Sequence, residues 1–350
     1  ATLGAVFSPN VVEGEYSWNV ARAEIDALAA ALVTALEDSV AHDSQQIRIG
    51  ASLGIALATD ASITMETMVR QADIAMYHCK DEGRNRHCWF QAGMEMAVQI
   101  RNQIETGIRD GMPRGEFIPF FEPQVDIATG RLVGFEMLMR WESPEYGLIP
   151  PERFIPVAEE SGLIVPIGAW VIEEACRQSA QWRESGLRMR IAVNISGHQL
   201  RRDDLVDQIQ ASLERHQVPA SRLTCEITET VAMEDTAVTR RAFERLGQAG
   251  LHVSIDDFGT GHSSLATLRR LPARELKIDR AFVADLSTGG EEARSIVRAI
   301  VQMAHSLQLH VVAEGVETEQ QRDELKQLDC DELQGYLFAK PMTASALALW

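Results

Sequence analysis

Short apolar runs with strand character recur along residues 98–350, and longer helix-like segments separate them. Alternating strands and helices are typical of a mainly parallel sheet that is covered by helices. Eight runs over a segment of this length fit a closed (βα)8 barrel. The predicted strands are residues 117–127, 131–141, 189–195, 223–228, 251–256, 275–279, 310–314 and 332–338.

The first two runs are joined only by Ala128, Thr129 and Gly130. A parallel crossover needs about a dozen residues or more, so these two strands must form an antiparallel hairpin. The sequence therefore predicts an α/β fold of the TIM-like (βα)8 type in which one strand runs antiparallel.

A different pattern precedes the barrel. Residues 21–36 are rich in Ala and Leu at helical spacing, and residues 47–58 alternate like a strand. Residues 65–80 form a second helical pattern that ends at Glu82 and Gly83, with another strand before residue 90. These elements are too few for a complete α/β domain. We therefore expect a partial domain over residues 1–92, a linker over 93–97 and the barrel over 98–350.

Charge and cysteine content restrict the partners and the compartment. The 51 acidic residues against 33 basic ones give a net charge of −18, which repels nucleic-acid polymers and anionic membranes. Five widely spaced cysteines without CxxC or Cys/His metal spacing indicate a reducing, cytoplasmic location. No apolar run is long enough to span a membrane. Because residue 1 is Ala1, the sequence leaves room for upstream sensory or membrane domains.

Nearly every predicted barrel strand ends in an acidic or amide residue. In a (βα)8 barrel these strand ends converge on one face, where active sites are built. A single carboxylate there is usually a helix cap or an ion-pair partner, but a whole set at successive strand ends indicates a functional site. The set is Glu136, Asn194, Glu226, Asp256, Asp257, Glu314 and Gln334, with Lys277 as its one cation.

Carboxylates crowded into one cleft repel one another unless cations neutralise them. All-oxygen ligands favour hard ions such as Mg²⁺, Mn²⁺ or Ca²⁺ over zinc. The adjacent Asp256 and Asp257 can bridge one ion and bind a second, and two ions ~4 Å apart suit attack by water on a phosphodiester. Gly259, Gly261, Ser263 and Ser264 after this pair predict a loop that closes over a ligand.

Eight segments of residues 98–350 match the pattern of a known family. They are FEPQVDIATGRLVGFEMLMRW, IPPERFIPVAEESGLI, AVNISGHQL, CEITET, IDDFGTGHSSL, LKIDR, VVAEGVET and LQGYLFAKPM. Through these segments, residues 98–350 resemble the EAL family of cyclic di-GMP phosphodiesterases. The resemblance implies a (βα)8 barrel with one antiparallel strand and hydrolysis of cyclic di-GMP to linear pGpG. It also implies two divalent cations, Mg²⁺ or Mn²⁺, with Ca²⁺ binding and inhibiting, and a homodimer.

The resemblance also implies a role for each matching residue. Asp256 would bridge the two ions, and Lys277 would contact the attacking water. Glu229 would hold the loop after the Asp pair in place. The implied metal ligands are Glu136, Asn194, Glu226, Asp256, Asp257 and Glu314, and the implied catalytic residues are Lys277, Glu136, Asp256, Asp257 and Glu314. The implied substrate-binding residues are Arg140 on a phosphate, Glu122, Glu317 and Gln334.

Two positions depart from the family pattern. Met137 stands where the family name has Ala, and because it follows Glu136 it should point away from the metals and alter packing only. Glu122 stands where many members have Gln before Pro123, which changes one hydrogen bond to the substrate.

Residues 47–90 resemble the last part of a GGDEF domain, through IRIGASLGIAL and ADIAMYHCKDEGRNRHCWF. No GG(D/E)EF motif is present, since Gly14-Glu15-Tyr16 is the nearest approach. We therefore expect no diguanylate cyclase activity.

Two other functions compete with hydrolysis of cyclic di-GMP. A receptor that keeps the pocket and loses the metals should lack several ligands, whereas the whole set is present here. An enolase-type lyase also places carboxylates at strand ends. That class needs a base poised over a carbon acid, and it leaves Arg140 without a role.

Overall fold

The computed structural model describes residues 18–36, 40–42, 45–47, 50–58, 63–234, 236–261, 265–287 and 289–347. The chain divides into two compact units, Ala1–Ile104 and Glu105–Trp350. Helix α3 (Ala92–Arg114) contains both this division and the predicted linker 93–97. The domain bounds 1–92 and 98–350 stay a prediction.

The first unit is a small α/β segment. β1 and β2 pair antiparallel, whereas β3 and β4 pair parallel. Both predicted helices are present, but the predicted strand over residues 47–58 is divided between β2 and β3. The elements are β1 (Val40–His42), β2 (Gln45–Ile47), β3 (Leu53–Ile55) and β4 (His87–Trp89), with α1 (Trp18–Leu36) and α2 (Met65–Asp81).

The second unit is a closed barrel of eight strands, as the sequence predicts. Its order is β5-β13-β12-β11-β10-β9-β8-β6, and β6 pairs again with β5. An unpredicted short strand, β7, pairs with the end of β6 outside the ring. The strands are β5 (Phe117–Asp126), β6 (Leu132–Ser143), β7 (Gly147–Ile149), β8 (Arg190–Asn194), β9 (Leu223–Thr228), β10 (His252–Phe258), β11 (Glu275–Ile278), β12 (His310–Ala313) and β13 (Glu332–Gln334).

Strand β5 is the one antiparallel member of the ring. It pairs antiparallel with β6 and with β13, while the remaining neighbours in the ring are parallel. Its connection to β6 is the predicted hairpin, in which Asp126 accepts a hydrogen bond from the backbone N–H of Thr129 at 2.7 Å. Gly130 has a φ of 67°, a left-handed conformation that glycine adopts without strain.

Helices cover the barrel because one face of each is apolar. In α12, for example, the buried residues Val297, Val301 and Ala304 lie at helical spacing. No helix in the described ranges is both long and apolar enough to cross a membrane. The helices are α4 (Pro151–Glu160), α5 (Ile164–Glu184), α6 (Gly197–Leu200), α7 (Leu205–His216), α8 (Glu229–Ala232), α9 (Ala237–Gln248), α10 (Leu265–Leu268), α11 (Arg280–Asp285), α12 (Gly290–Ser306), α13 (Glu319–Gln327) and α14 (Ala344–Leu347), with a 3₁₀ turn at Ala220–Arg222.

The strand pleat decides which side chains enter the barrel. Phe135 of β6 packs on Trp182 of α5, with ring centroids 4.9 Å apart. Successive side chains of a strand point to opposite faces, so Glu136 points to the barrel interior. The same alternation turns Met137 away from that interior. Met137 is buried at 2% exposure, in agreement with its predicted packing role.

The amino-terminal ends of the strands are closed by an ion-pair network. Arg190 donates to Glu275 Oε2 at 3.1 Å and to Glu332 Oε2 at 2.6 Å, and both carboxylates are almost fully buried. His310 Nε2 lies 2.9 Å from Glu332 Oε1. The network connects the first residues of β8, β11, β12 and β13. It lies at the opposite end of these strands from the predicted site.

Candidate active site

Lys277 lies at the centre of a buried cluster of carboxylates. Its side chain is 0% exposed, although lysine is almost never buried without acidic partners. Its Nζ lies 3.2 Å from Glu136 Oε2, 3.0 Å from Glu226 Oε1, 3.3 Å from Asp256 Oδ1 and 2.5 Å from Glu314 Oε1. Four strands or strand ends that are distant in the chain therefore meet around one cation.

The Asp pair lies on an irregular part of β10. The register of β10 against β11 shifts between Ile255 and Phe258, and Asp257 has a φ of 55°. An irregularity of this kind re-aims side chains that a regular strand would place on opposite faces. Three carboxylate oxygens, one from each of Asp256, Asp257 and Glu314, lie within 4.8 Å of one another. The three groups form a compact set of oxygen ligands.

A hydrogen-bonded network extends from Glu136. Asn194 donates to Glu136 Oε1 at 2.8 Å, and Gln334 donates to Glu136 Oε2 at 2.6 Å. The same Gln334 amide lies 3.0 Å from Glu122 Oε2. Glu122 and Glu136 are paired residues on β5 and β6, which explains why one amide reaches both. Glu122, which departs from the family pattern, thus belongs to the cluster.

Sequence reasoning missed Gln124 as a member of this network. Gln124 is buried at 2% exposure and donates to Gln334 Oε1 at 3.1 Å. It lies two residues after Glu122 on β5, so the pleat places both on the same face. This spacing of two was the signal from which the sequence could have indicated it.

The Glu226 carboxylate accepts no hydrogen bond among the described residues, although Lys277 Nζ lies 3.0 Å from its Oε1. Both of its oxygens are buried, and neither accepts a hydrogen bond from any residue that the structure describes. A buried polar group without a partner costs about 1–3 kcal/mol, and more when it is charged. A hard divalent cation would satisfy these oxygens, so the donor set fits such an ion.

Burial and the excess of carboxylates over cations shift the pKa values of the groups in this cluster. Burial and the neighbouring charge of Glu136 raise the pKa of Glu226 well above its usual range. Burial alone would lower the pKa of Lys277, but the surrounding carboxylates, Asp256 foremost, hold it well above its usual value. The carboxylates around Lys277 therefore favour its protonated form.

The remaining acids divide into two groups. Burial opposes ionisation of Glu136, yet Lys277 and the Gln334 hydrogen bond outweigh it and keep the pKa of Glu136 below its usual value. Burial raises the pKa of Glu314 to about 8, against the opposing charge of Lys277. Burial and Asp256 also raise the pKa of Asp257. The protein alone thus supplies too little positive charge to ionise every acid at neutral pH.

Glu229 contacts the chain segment that follows the Asp pair. It is 1% exposed and accepts a hydrogen bond from the backbone N–H of Gly259 at 2.7 Å. This contact agrees geometrically with the predicted positioning role. Ser263 and Ser264 of the predicted closing loop lie outside the described residues.

Two predicted substrate-binding residues lie outside the central cluster. Arg140 on β6 donates to the Met139 carbonyl at 3.0 Å, and its guanidinium carbon lies 5.5 Å from the centroid of the Phe120 ring. Glu317 is exposed, and its backbone N–H donates to Gln321 at 2.8 Å. The structure therefore brings together the predicted acids, Lys277 and Gln334, but leaves the side chain of Glu317 at the surface.

Two family models match the chain, one in each unit. The EAL domain model matches residues 105–341. The model described as "Diguanylate cyclase, GGDEF domain" matches residues 17–86. The first match contains every predicted site residue, and it covers more than half of the chain.

Curated relatives align with almost the whole chain. The bifunctional diguanylate cyclase/cyclic di-GMP phosphodiesterase MucR of Pseudomonas aeruginosa is 43% identical over 326 residues, which are 93% of this chain and 47% of that protein. The cyclic di-GMP phosphodiesterase PdeR of Escherichia coli is 36% identical over 332 residues, which are 95% of this chain and 50% of that protein. The chain therefore spans about half the length of these relatives.

Solved structures give the same result for the barrel. The phosphodiesterase PaMucR in complex with c-di-GMP superposes with a TM-score of 0.68 at 45% identity, covering 70% of this chain and 99% of that one. The EAL enzyme Bd1971, with cAMP and cyclic di-GMP bound, superposes with a TM-score of 0.69 at 29% identity, covering 82% of this chain and 76% of that one. The chain belongs to the EAL domain family and carries a GGDEF-type segment ahead of its EAL domain.

Proposed function

We propose that this chain hydrolyses cyclic di-GMP to linear pGpG with the help of two divalent cations, Mg²⁺ or Mn²⁺. The observation that carries the proposal is the buried Glu226 carboxylate, which has no hydrogen bond among the described residues and faces three further acids around one lysine. The names of MucR and PdeR support the same reaction class. The barrel domain, assigned to residues 98–350, would carry this activity.

The oxygen ligands for the cations come from four strands and the residue that follows β12. When bound, the ions would supply positive charge for activating water and for stabilising the charge that develops on the phosphate. Ca²⁺ has the same oxygen preference and a larger, more flexible coordination shell, so we expect it to bind and inhibit. The proposed ligands are Glu136, Asn194, Glu226, Asp256, Asp257 and Glu314.

The remaining site residues orient the reactants. Lys277 stays protonated, so its ammonium can donate to the oxygen of the attacking water and keep it in line with the phosphorus. Arg140 presents a planar set of donors suited to a phosphate oxygen. Hydrolysis adds the water oxygen to phosphorus and breaks one phosphodiester bond to the ribose 3′-oxygen, which takes up a proton as it leaves.

Substrate-facing hydrogen bonds would come from the β5 side of the barrel. Glu122 and Gln334 are joined at 3.0 Å, and burial raises the pKa of Glu122. We propose that this pair contacts the substrate, while Glu317 would act from the surface loop after β12. We propose a cytoplasmic location from the cysteine content and a homodimer from the family resemblance.

Product analysis tests the proposal directly. The purified chain is incubated with cyclic di-GMP and Mg²⁺ or Mn²⁺, and pGpG is measured by chromatography with and without a chelator. We expect metal-dependent pGpG from the wild type and none from Glu136→Ala, which should remain folded. The exposed Glu142 on the same strand supplies the control variant Glu142→Ala, which should keep the wild-type rate.

Two results would contradict hydrolysis. Tight binding of cyclic di-GMP without any pGpG would favour a receptor. A Glu136→Ala variant with a near wild-type rate would remove the metal assignment.

A further inference from the structure

Three side chains with metal-binding groups, His78, Glu82 and Cys88, meet in the first unit, and Cys79 lies beside Cys88. His78, Cys79 and Glu82 lie at the end of α2, and Cys88 lies on β4. Cys88 Sγ lies 2.7 Å from Cys79 Sγ and 4.0 Å from Glu82 Oε2. His78 Nδ1 lies 3.7 Å from Glu82 Oε1. One donor atom each of His78, Glu82 and Cys88 all lie within 4.8 Å of one another.

The local fold explains how these residues meet. His78 and Glu82 are four residues apart, so the end of the helix places them on one face. Gly83, Arg84 and Asn85 all have positive φ, and this turn sends the chain back along the helix. Cys79 Sγ donates to the Arg86 carbonyl at 3.2 Å, which holds the returning segment close.

Cys88 faces the helix because its strand neighbours face the other way. His87 Nε2 and Trp89 Nε1 lie 3.0 Å and 2.6 Å from the same oxygen of Asp26 on α1. Alternation along β4 then directs Cys88 towards α2. The two cysteines are nine residues apart in the chain, a spacing that carries no metal signature by itself.

His78 supplies a separate observation. Its Nδ1 is buried and has no hydrogen bond to any residue in the described part of the chain. Buried polar atoms in folded proteins almost always have a partner. An imidazole nitrogen without a hydrogen bond, close to a thiol and a carboxylate, is a combination that a metal ion satisfies.

We propose that His78, Cys79, Glu82 and Cys88 form a zinc site that fastens the end of α2 to β4. Two thiolates, one imidazole and one carboxylate match the ligand types and number that Zn²⁺ takes in tetrahedral sites. The thiol sulfurs distinguish this site from the all-oxygen set of the barrel, which favours harder ions. The two thiols must lose their protons, so zinc binding would release protons to solvent.

Binding requires the ligand side chains to rearrange. Cys79 Sγ lies outside the group of donor atoms that are all within 4.8 Å of one another, so it must turn towards His78 and Glu82. Two sulfurs that share a tetrahedral zinc ion at bonds of about 2.3 Å stand about 3.8 Å apart. The two sulfurs would therefore separate by about 1 Å, which a change of side-chain rotamer supplies. Glu82 is exposed and can turn towards the ion as its fourth ligand.

Titration with Co²⁺ distinguishes this thiol-containing site from the all-oxygen site proposed in the barrel. The full chain is reduced, stripped of metal with a chelator and titrated with Co²⁺, followed by Zn²⁺. Thiolate ligands give a cobalt charge-transfer band in the near ultraviolet, which oxygen ligands do not give. We expect this band to saturate at one ion per chain and to disappear when Zn²⁺ is added.

Variants assign the band to the proposed ligands. Cys88→Ser should abolish it and His78→Ala should weaken Co²⁺ binding at least about tenfold. Cys176→Ala, which removes a buried cysteine of the barrel, should keep the band. Circular dichroism checks that each variant is folded. Independently of any variant, Zn²⁺ should protect Cys79 and Cys88 of the wild type from alkylation, as read by mass spectrometry of the peptides.

Three results would overturn the proposal. The first is a reduced wild-type chain that shows neither the cobalt band nor zinc protection. The second is a band that persists in Cys88→Ser. The third is a Cys79–Cys88 disulfide that forms in air, while the reduced protein binds no Zn²⁺ at these thiols.

Discussion

The Glu229 carboxylate accepts a hydrogen bond from the backbone N–H of Gly259 over 2.7 Å. Glu229 begins α8 directly after β9, whereas Gly259 follows the last residue of β10. A Cβ at Gly261 would come within 2.9 Å of the same carboxylate, so the chain passes close to it twice. The contact therefore ties the segment after Asp257 to the end of the neighbouring strand.

Glu229→Ala should lower kcat for cyclic di-GMP by roughly 10- to 100-fold, because a displacement of about 1 Å in a reacting group costs on that order. Hydrogen exchange at Gly259 should become faster in the same variant. Glu229→Gln keeps an acceptor oxygen and is the matched control, with a smaller loss. An unchanged kcat in Glu229→Ala would exclude a positioning role.

Arg140→Lys should raise KM for cyclic di-GMP by about 10- to 100-fold, with a smaller change in kcat, because a single ammonium cannot replace a two-point contact to phosphate. Steady-state kinetics over a range of substrate concentrations separate the two constants. Arg131→Lys, on the exposed hairpin between β5 and β6, should match the wild type. A KM unaffected by Arg140→Lys would speak against phosphate binding by Arg140.

Lys277→Met should destabilise the metal-free protein by about 3–5 kcal/mol, because four buried acids then face one another without a cation. The same change should increase the affinity for Mg²⁺, so Mg²⁺ should raise the melting temperature more in the variant than in the wild type. The exposed Lys326 of α13 supplies the control Lys326→Met. Equal Mg²⁺ shifts in variant and wild type would argue against a common site for lysine and metal.

His310 predicts a pH dependence at the other end of the barrel. Burial lowers the pKa of His310, but the hydrogen bond to Glu332 and the charges of Glu332, Asp331 and Glu275 raise it above the usual value of 6.5 overall. A raised pKa binds more protons in the folded state, so this stabilisation is complete below the unfolded pKa and is lost as pH rises through the folded one.

Urea unfolding of wild type and His310→Gln at a series of pH values checks this. The difference in unfolding free energy should be largest in mildly acid solution and should shrink as the pH rises. His198→Gln, at an exposed position, is the control and should show no such trend. A difference that stays constant with pH would contradict the titration of His310.

The barrel could be predicted because its strands are apolar runs bounded by turn residues. Thr129 and Gly130 fix the hairpin locally, so the antiparallel strand followed from connection length alone. Strand β7 could not be predicted, since Gly147–Ile149 is too short to show a period and depends on pairing with β6. The predicted strand at residues 47–58 is divided, because Ile47 pairs with Val40 in the β1–β2 hairpin whereas Leu53–Ile55 pairs with β4.

The sequence could predict that the acids lie close together, but it could not predict their geometry. Asn194 and Gln334 end their strands as predicted, whereas Glu136, Glu226 and Asp256 lie inside β6, β9 and β10. The register of the parallel strands, and not a strand end, brings these three acids together. The left-handed backbone of Asp257 and the shared amide of Gln334 depend on tertiary contacts that no local pattern encodes. The proximity of Cys79 and Cys88 could not be predicted either, because it results from the turn at residues 83–85.

Arg190 forms ion pairs with two strands that are not neighbours of its own strand in the ring. Its ion pairs join β8 to β11 and β13 at the amino-terminal ends of these strands, opposite the end that carries the candidate site. Substitutions among the acids at the other end of the strands should therefore leave these stabilising ion pairs in place.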